Sequence, residues 1–286
     1  MTLTEIVAAN RPDQFGLLER ATAMFTASEV VTHLLVRGSL ARGTADRLSD
    51  VDFVVGVDDS HFVQYASVLD ALVATELSSI LPGWLDTIVG DMGGLGSVYL
   101  VGWSGRLHQL DIYLAPASKI AGIRSKTLCR TIFEREPSQL YEPVADVELY
   151  IAETVARPRS ATELLIEVMV LAYLIRKRIT RGHKYIAYSE VGMLNTAAKN
   201  LIKTALAPRS AYYGWYQLES EVGITPIGRT CLGHLTALIS LPGIPSLTSL
   251  RDALSRVFAI AEAAAPEAMA EIGDALDAYH YYLELP

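Results

Sequence analysis

The stretch His33–Asp59, HLLVRGSLARGTADRLSDVDFVVGVDD, decides how this chain is read. Two apolar, β-branched runs, His33–Arg37 and Val51–Val57, read as short strands. Between them come Gly38-Ser39, ten further residues, and then Asp50-Val51-Asp52 at the start of the second run. Residues i and i+2 of a strand point to one face, so this reading sets the carboxylates of Asp50 and Asp52 side by side. Adjacent carboxylates repel, and burying them is costly unless a cation lies between them. Mg²⁺ suits such a pair: it takes oxygen ligands, keeps waters, and joins one or two carboxylates to substrate phosphates. Gly38 lets the backbone approach a ligand closely, and Ser39 with its neighbouring amides can donate to phosphate oxygens.

Outward from this stretch, Phe62–Leu81 has helical periodicity, and Val98–Trp103 and Leu107–Leu114 flank a Ser104-Gly105 turn, as in a hairpin. Asp111 sits inside the apolar segment Leu110–Leu114, where an unpaired charge is expensive. It is therefore either the partner of an arginine or histidine, or a ligand. Arg37 and Arg42 flank the Gly-Ser turn. Arg42, within the loop, is the phosphate candidate because a guanidinium grips phosphate oxygens in pairs, with a surface pair to Asp46 as the alternative.

Beyond Asp146 the pattern turns helical, with candidate helices near 161–181, 189–206, 228–240, 247–264 and 266–284. Ser160-x-x-Glu163 is a capping-box signature. On the wheel of the helix that follows, Glu163, Glu167, Arg178 and Arg181 share one edge, which is either a solvated face or a face of a cleft. The fold expected is α+β: a small mixed sheet flanked by helices over residues 1–143, then a helical bundle over 144–286. Pro137, Pro143 and Pro158 punctuate the join.

Composition narrows the function classes. The 286 residues are 51% hydrophobic and 20% charged, with a formal net charge of −8. The pI is near 5.3, so no chain-wide electrostatic grip on nucleic acid is available. The most apolar stretch, Leu164–Ile175, is short and contains Glu167, as in a buried helix and unlike a bilayer span. Residues 1–30 show no signal-peptide pattern, and Cys129 and Cys231 form neither a disulfide framework nor a zinc motif. A cytoplasmic globular protein is the expectation. The histidines have no HExxH-type spacing and read as structural, and Gly90–Gly96 lacks the Lys-Ser/Thr ending of a P-loop and reads as a loop near a cleft. Tyr212, Tyr213, Trp215 and Tyr216 read as core, with the lining of an acceptor pocket as the alternative.

Gly-Ser, a spacer of ten, Asp-x-Asp and a third Asp on a later strand resemble the signature of the polymerase-β-like nucleotidyltransferase superfamily. Over residues 30–182 the chain looks most like the bacterial aminoglycoside and lincosamide adenylyltransferases, whose catalytic domain is followed by a helical bundle. The resemblance implies a nucleotidyltransferase catalytic domain over 1–143 and a substrate-binding helical domain over 144–286. It implies that Gly38 and Ser39 bind the triphosphate and that Asp50, Asp52 and Asp111 hold two Mg²⁺ ions. The implied reaction moves AMP from ATP, or a nucleoside monophosphate from another NTP, onto a hydroxyl of a small molecule and releases pyrophosphate. Relatives often take their base from a Glu near the start of the helical domain, which makes Glu167 the candidate here, with Glu163, Glu153 and Asp111 as alternatives. Arg178, Arg181 and Lys184, within the basic run 176–184, are candidates for the pyrophosphate or else a solvated helix end. The turn Thr180–Lys184 resembles an Arg-Gly-Glu turn of those relatives, with His183 where they often carry an acid. An acidic surface suits a cationic acceptor such as an aminoglycoside. Two other readings stay open: a toxin-type enzyme modifying a protein or tRNA, against whose tRNA form the overall acidity argues, and a catalytically silent nucleotide-binding regulator, which three retained carboxylates disfavour.

Overall fold

In a computed structural model of the chain, residues 12–88, 90–136, 146–283 and 285 are described. The two runs of the deciding stretch become β1 (Val31–Val36) and β2 (Val51–Val57). The expected hairpin forms from β4 (Leu95–Trp103) and β5 (Arg106–Pro116), with Ser104 and Gly105 at positive φ in its turn. Together with β3 (Trp84–Leu85) and β6 (Arg130–Glu134) these make one six-stranded sheet in the order β3-β4-β5-β2-β1-β6. Only the central pair β2–β5 is parallel; the others are antiparallel. Central strands covered on both faces need near-continuous apolar sequence, which explains the runs around Phe53–Val55 and Ile112–Leu114.

One sheet face carries the larger core. Helices α1 (Gln14–Ala27) and α3 (Phe62–Leu77) cover it, packing Leu17, Phe25, Phe62 and Leu69 onto Phe53, Val55, Ile112 and Tyr99. The helix α3 ends four residues before the expected Leu81, because Ser78 takes the left-handed conformation. The opposite face holds a smaller cluster, in which Ile120 and Ile123 of α4 (Ile120–Lys126) meet Leu35, Val54 and Tyr113. That thinner cover leaves one end of this face to polar residues.

The chain divides into two compact units, Met1–Arg157 and Pro158–Pro286. The division falls beyond the expected join near 144, because α5 (Val147–Ala156) sets Val147, Tyr150 and Ile151 against the first unit's core. Pro137 and Pro143 lie outside the described residues. The second unit is helical: α6 (Ala161–Thr180), α7 (Lys184–Leu206), α8 (Leu218–Val222), α9 (Pro226–Ile239), α10 (Leu247–Ala264), α11 (Pro266–Glu271) and α12 (Gly273–Leu283). The expected helix 266–284 is thus two helices, broken around Ile272. Both halves of the capping box at Ser160 and Glu163 form. Among the described residues no helix is long and apolar enough to cross a membrane.

The aromatic segment corrects its core reading. Tyr212 is 77% and Tyr216 80% exposed, with Tyr213 and Trp215 also exposed. What is buried there is Lys203, whose Nζ donates to the carbonyls of Ser210 and Tyr216 at 3.2 and 2.7 Å and so closes the turn from beneath.

Candidate active site

The site is built at the start of the parallel pair. Register places Asp52 of β2 directly beside Asp111 of β5, so the two carboxylates project from neighbouring positions on one face. Burial raises the Asp52 carboxyl above its ordinary range, against the pull of Arg37 and Arg42. The Asp111 carboxyl is held well above that range by burial and then by the Asp52 charge. Gln109, two residues earlier on the same strand, donates its amide to both Asp111 oxygens at 2.7 and 2.9 Å. That fixes the carboxyl plane without supplying a countercharge. The pair thus sets two carboxyl groups side by side in a buried place, with Arg37 reaching Asp52.

Arg37 closes one side. Its Nε lies 3.8 Å from Asp52 Oδ1, and its guanidinium stands 5.9 Å over the Tyr113 ring. The chain then turns sharply at Gly38, with φ of +64°, into the short helix α2 (Gly38–Arg42). A Cβ on Gly38 would sit 2.2 Å from Asp52 Oδ2, so only glycine lets this turn press against the carboxylate. Ser39 lies in that helical turn, and its carbonyl accepts from the Thr44 amide at 3.0 Å. Arg42 is exposed at the turn's end, near enough to Asp52 to bias its charge. The loop that follows is tied back to α1 through Gln14, whose side-chain amide donates to the Asp46 carbonyl.

Asp50 stands immediately before β2, which begins at Val51, so it lies outside the register that pairs Asp52 with Asp111. Among the described residues no three His, Cys, Asp or Glu side chains come together as a metal-holding group. The expected trio is thus a pair, Asp52 and Asp111, with Asp50 adjacent in sequence.

Of the remaining candidates, Glu153 lies on α5 in the first unit; the others belong to the second unit, where Glu163, Glu167 and Arg178 have partners. Glu163 spends its carboxylate on the helix cap, accepting from the Ser160 amide at 2.8 Å. Glu167 is nearly buried and pairs with Arg159 at 2.5 Å. Arg178 pairs with the buried Glu190 of α7 at 3.0 Å. Arg181 is the C-cap residue of α6, and Lys184 opens α7 with its side chain exposed. Lys177, in the same basic run, is buried with its ammonium 5.6 Å over the Tyr173 ring.

The reading from sequence missed Asp86 and Gln109. Asp86 follows β3 directly, and its charge pushes both Asp52 and Asp111 toward the protonated form. The available signal was the short run Trp84-Leu85-Asp86 after Pro82-Gly83, which reads as a strand ending in an acid, but its cross-strand neighbours are set only by the register. For Gln109 the signal was its i−2 spacing to Asp111.

Residues 21–88 match the family model described as the nucleotidyltransferase domain, a span that contains β1, the Gly38 turn, Asp52 and Asp86. No curated protein matches the chain. The similarity falls on the segment that carries Gly38 and Asp52, and it makes the chain a nucleotidyltransferase enzyme.

Proposed function

We propose that the chain transfers a nucleoside monophosphate, AMP from ATP, onto a hydroxyl of a small molecule of the antibiotic kind, with release of pyrophosphate. The observation that carries this is the register pairing of Asp52 with Asp111 beside a glycine turn that admits no side chain. Two hard, closely placed carboxylates pushed toward protonation chiefly by burial fit Mg²⁺ by donor chemistry. Asp52 and Asp111 would hold it, with Asp50, adjacent in sequence, as a further candidate oxygen donor, and this pair supports one ion where three converging carboxylates would support two. When bound, Mg²⁺ supplies neutralising charge for the triphosphate and acidifies an acceptor hydroxyl.

The chain's own residues do the rest. Gly38 and Ser39 give the triphosphate a close backbone approach and a hydroxyl donor, while Arg42 adds a mobile guanidinium at the loop's end. Arg37 holds Asp52 in place from the other side. The acceptor oxygen attacks the α-phosphorus, the bond from that phosphorus to the bridging oxygen breaks, and pyrophosphate leaves with the bond's electron pair. The acceptor's proton goes to a carboxylate, for which Asp111 is the candidate supported by position. Glu167, already engaged by Arg159, is the weaker one.

Incubating the protein with Mg²⁺, each of the four NTPs and a panel of antibiotics tests this reading. The expected result is pyrophosphate together with an acceptor heavier by one nucleoside monophosphate. Release of orthophosphate without modified acceptor, from a protein that binds nucleotide, would contradict it.

A further inference from the structure

Within the first unit a cavity of about 340 Å³ opens beside Asp86. Its walls are largely apolar, with Leu85, Leu95, Tyr113, Ile151 and Val155 lining it beside Asp86, one of whose carboxylate oxygens accepts from the Ile88 amide at 2.7 Å. Its size falls at the lower end of the roughly 300–1,000 Å³ typical of small-molecule pockets. Strand register relates it to the carboxylate pair. Asp86 donates its amide to the Gly96 carbonyl at 2.9 Å, Gly96 pairs with Tyr113, and Tyr113 is two residues beyond Asp111 on β5. Asp86, Tyr113, Asp111 and Asp52 therefore share one sheet face. A Cβ on Gly96 would stand 3.3 Å from Asp86 Cβ and 3.5 Å from the Tyr113 ring, so its absence keeps the gap between them open. Tyr113 also lies under the Arg37 guanidinium that pairs with Asp52, which makes the cavity wall continuous with the catalytic pair.

The lining chemistry selects a ligand. Among the described residues the cavity's lining includes Asp86 and Asp91 and no lysine or arginine, so its wall repels a triphosphate and favours a cation. Its apolar side chains can desolvate a ring but cannot satisfy the many hydroxyls of a sugar polycation. Resting on the nucleotidyl-transfer reading above, we propose that this cavity is the acceptor subsite. It takes an amine with an apolar body, seating the ammonium at Asp86 and the body against Leu85, Tyr113 and α5. The preferred acceptor is then an amphiphilic amine bearing a hydroxyl, in place of a polyhydroxylated polycation.

The test titrates the protein, with Mg²⁺ and a non-hydrolysable ATP analogue present, with three probes: tryptamine, its neutral counterpart tryptophol, and glucosamine. Tryptamine should bind at least about tenfold more tightly than either of the others. Asp86→Asn should erase the preference for tryptamine over tryptophol. Ala152→Phe, on the exposed side of α5, should fill the cavity and weaken both indole probes by about tenfold or more, while keeping the analogue's affinity within about twofold. The subsite assignment falls if tryptophol or glucosamine binds wild type as well as tryptamine does. It also falls if Ala152→Phe weakens the ATP analogue in place of the indoles, which would make the cavity the nucleobase pocket. Failure of wild type to bind the analogue at all would overturn the nucleotidyl-transfer reading itself and the acceptor role with it.

Discussion

At Gly38 the backbone and the Asp52 side chain compete for one space. A methyl group there meets the Asp52 carboxylate at 2.2 Å, and the φ of +64° is one that non-glycine residues adopt only under strain. Gly38→Ala should therefore cost about 1–3 kcal/mol in chemical denaturation and remove activity, by displacing Asp52. The carboxylate pair carries the opposite sign. A carboxyl whose native state is held above its unfolded range binds its proton more tightly when folded, so stability falls as pH rises out of the ordinary carboxylate range. In EDTA at neutral pH, Asp111→Asn should then be more stable than wild type while lacking turnover, and the gain should vanish in acid, where wild type is protonated too. A less stable Asp111→Asn with full activity per folded molecule would identify Asp111 as a structural partner. At this scale Gly38, Asp52 and Asp111 were legible because each is an expensive residue for its place: a glycine after a strand, and acids in apolar runs. Asp86 was not, since its position two strands from Asp111 comes from pairing across β4. Asp50 lies one residue before β2, where the strand register does not fix its side chain.

The glycine-rich segment after β3 is held by one side chain. Tyr113 Oη accepts from the amides of Met92 and Gly94 at 2.8 and 3.1 Å, pinning the loop to the sheet. Tyr113→Phe should cost about 1–2 kcal/mol, with faster amide exchange confined to residues 92–96 and the rest of the sheet unchanged. Uniform exchange across the unit would show that the loop has other anchors. In the helical unit, Ser160→Ala removes half of the capping box and should cost about 1 kcal/mol in thermal or denaturant unfolding. Elements were the most readable level of the sequence. The Val51–Val57 strand and the Leu247–Ala264 helix stand where periodicity set them. The failures have local causes: Ser78 in the left-handed conformation ends α3 early, and the Ala-rich tail carries no strong apolar period to reveal its break. The aromatic cluster at 212–216 looked like core by composition, yet a buried lysine beneath it holds the turn outward.

Across the molecule, charge is used differently in the two units. In the helical unit two buried carboxylates are paired with arginines: Glu190 is 4% exposed and faces Arg178, and Glu167 faces Arg159. Removing one member of such a pair strands the other, so Arg178→Ala should destabilise the unit by roughly 1–3 kcal/mol, and adding Glu190→Gln should recover part of that loss. If the double variant is no better than the single, Arg178 serves something other than Glu190. In the first unit the acids Asp52 and Asp111 lie adjacent, with Arg37 beside Asp52, and the proposed function turns on their holding Mg²⁺. It is tested most directly by calorimetric titration of a non-hydrolysable ATP analogue into wild type, Asp52→Asn and Asp111→Asn, each with Mg²⁺ and with EDTA. The account predicts binding that requires Mg²⁺ in wild type and is weakened by about a hundredfold, roughly 2.7 kcal/mol, in either variant. Equal affinity with and without Mg²⁺, or wild-type affinity in both variants, would contradict it.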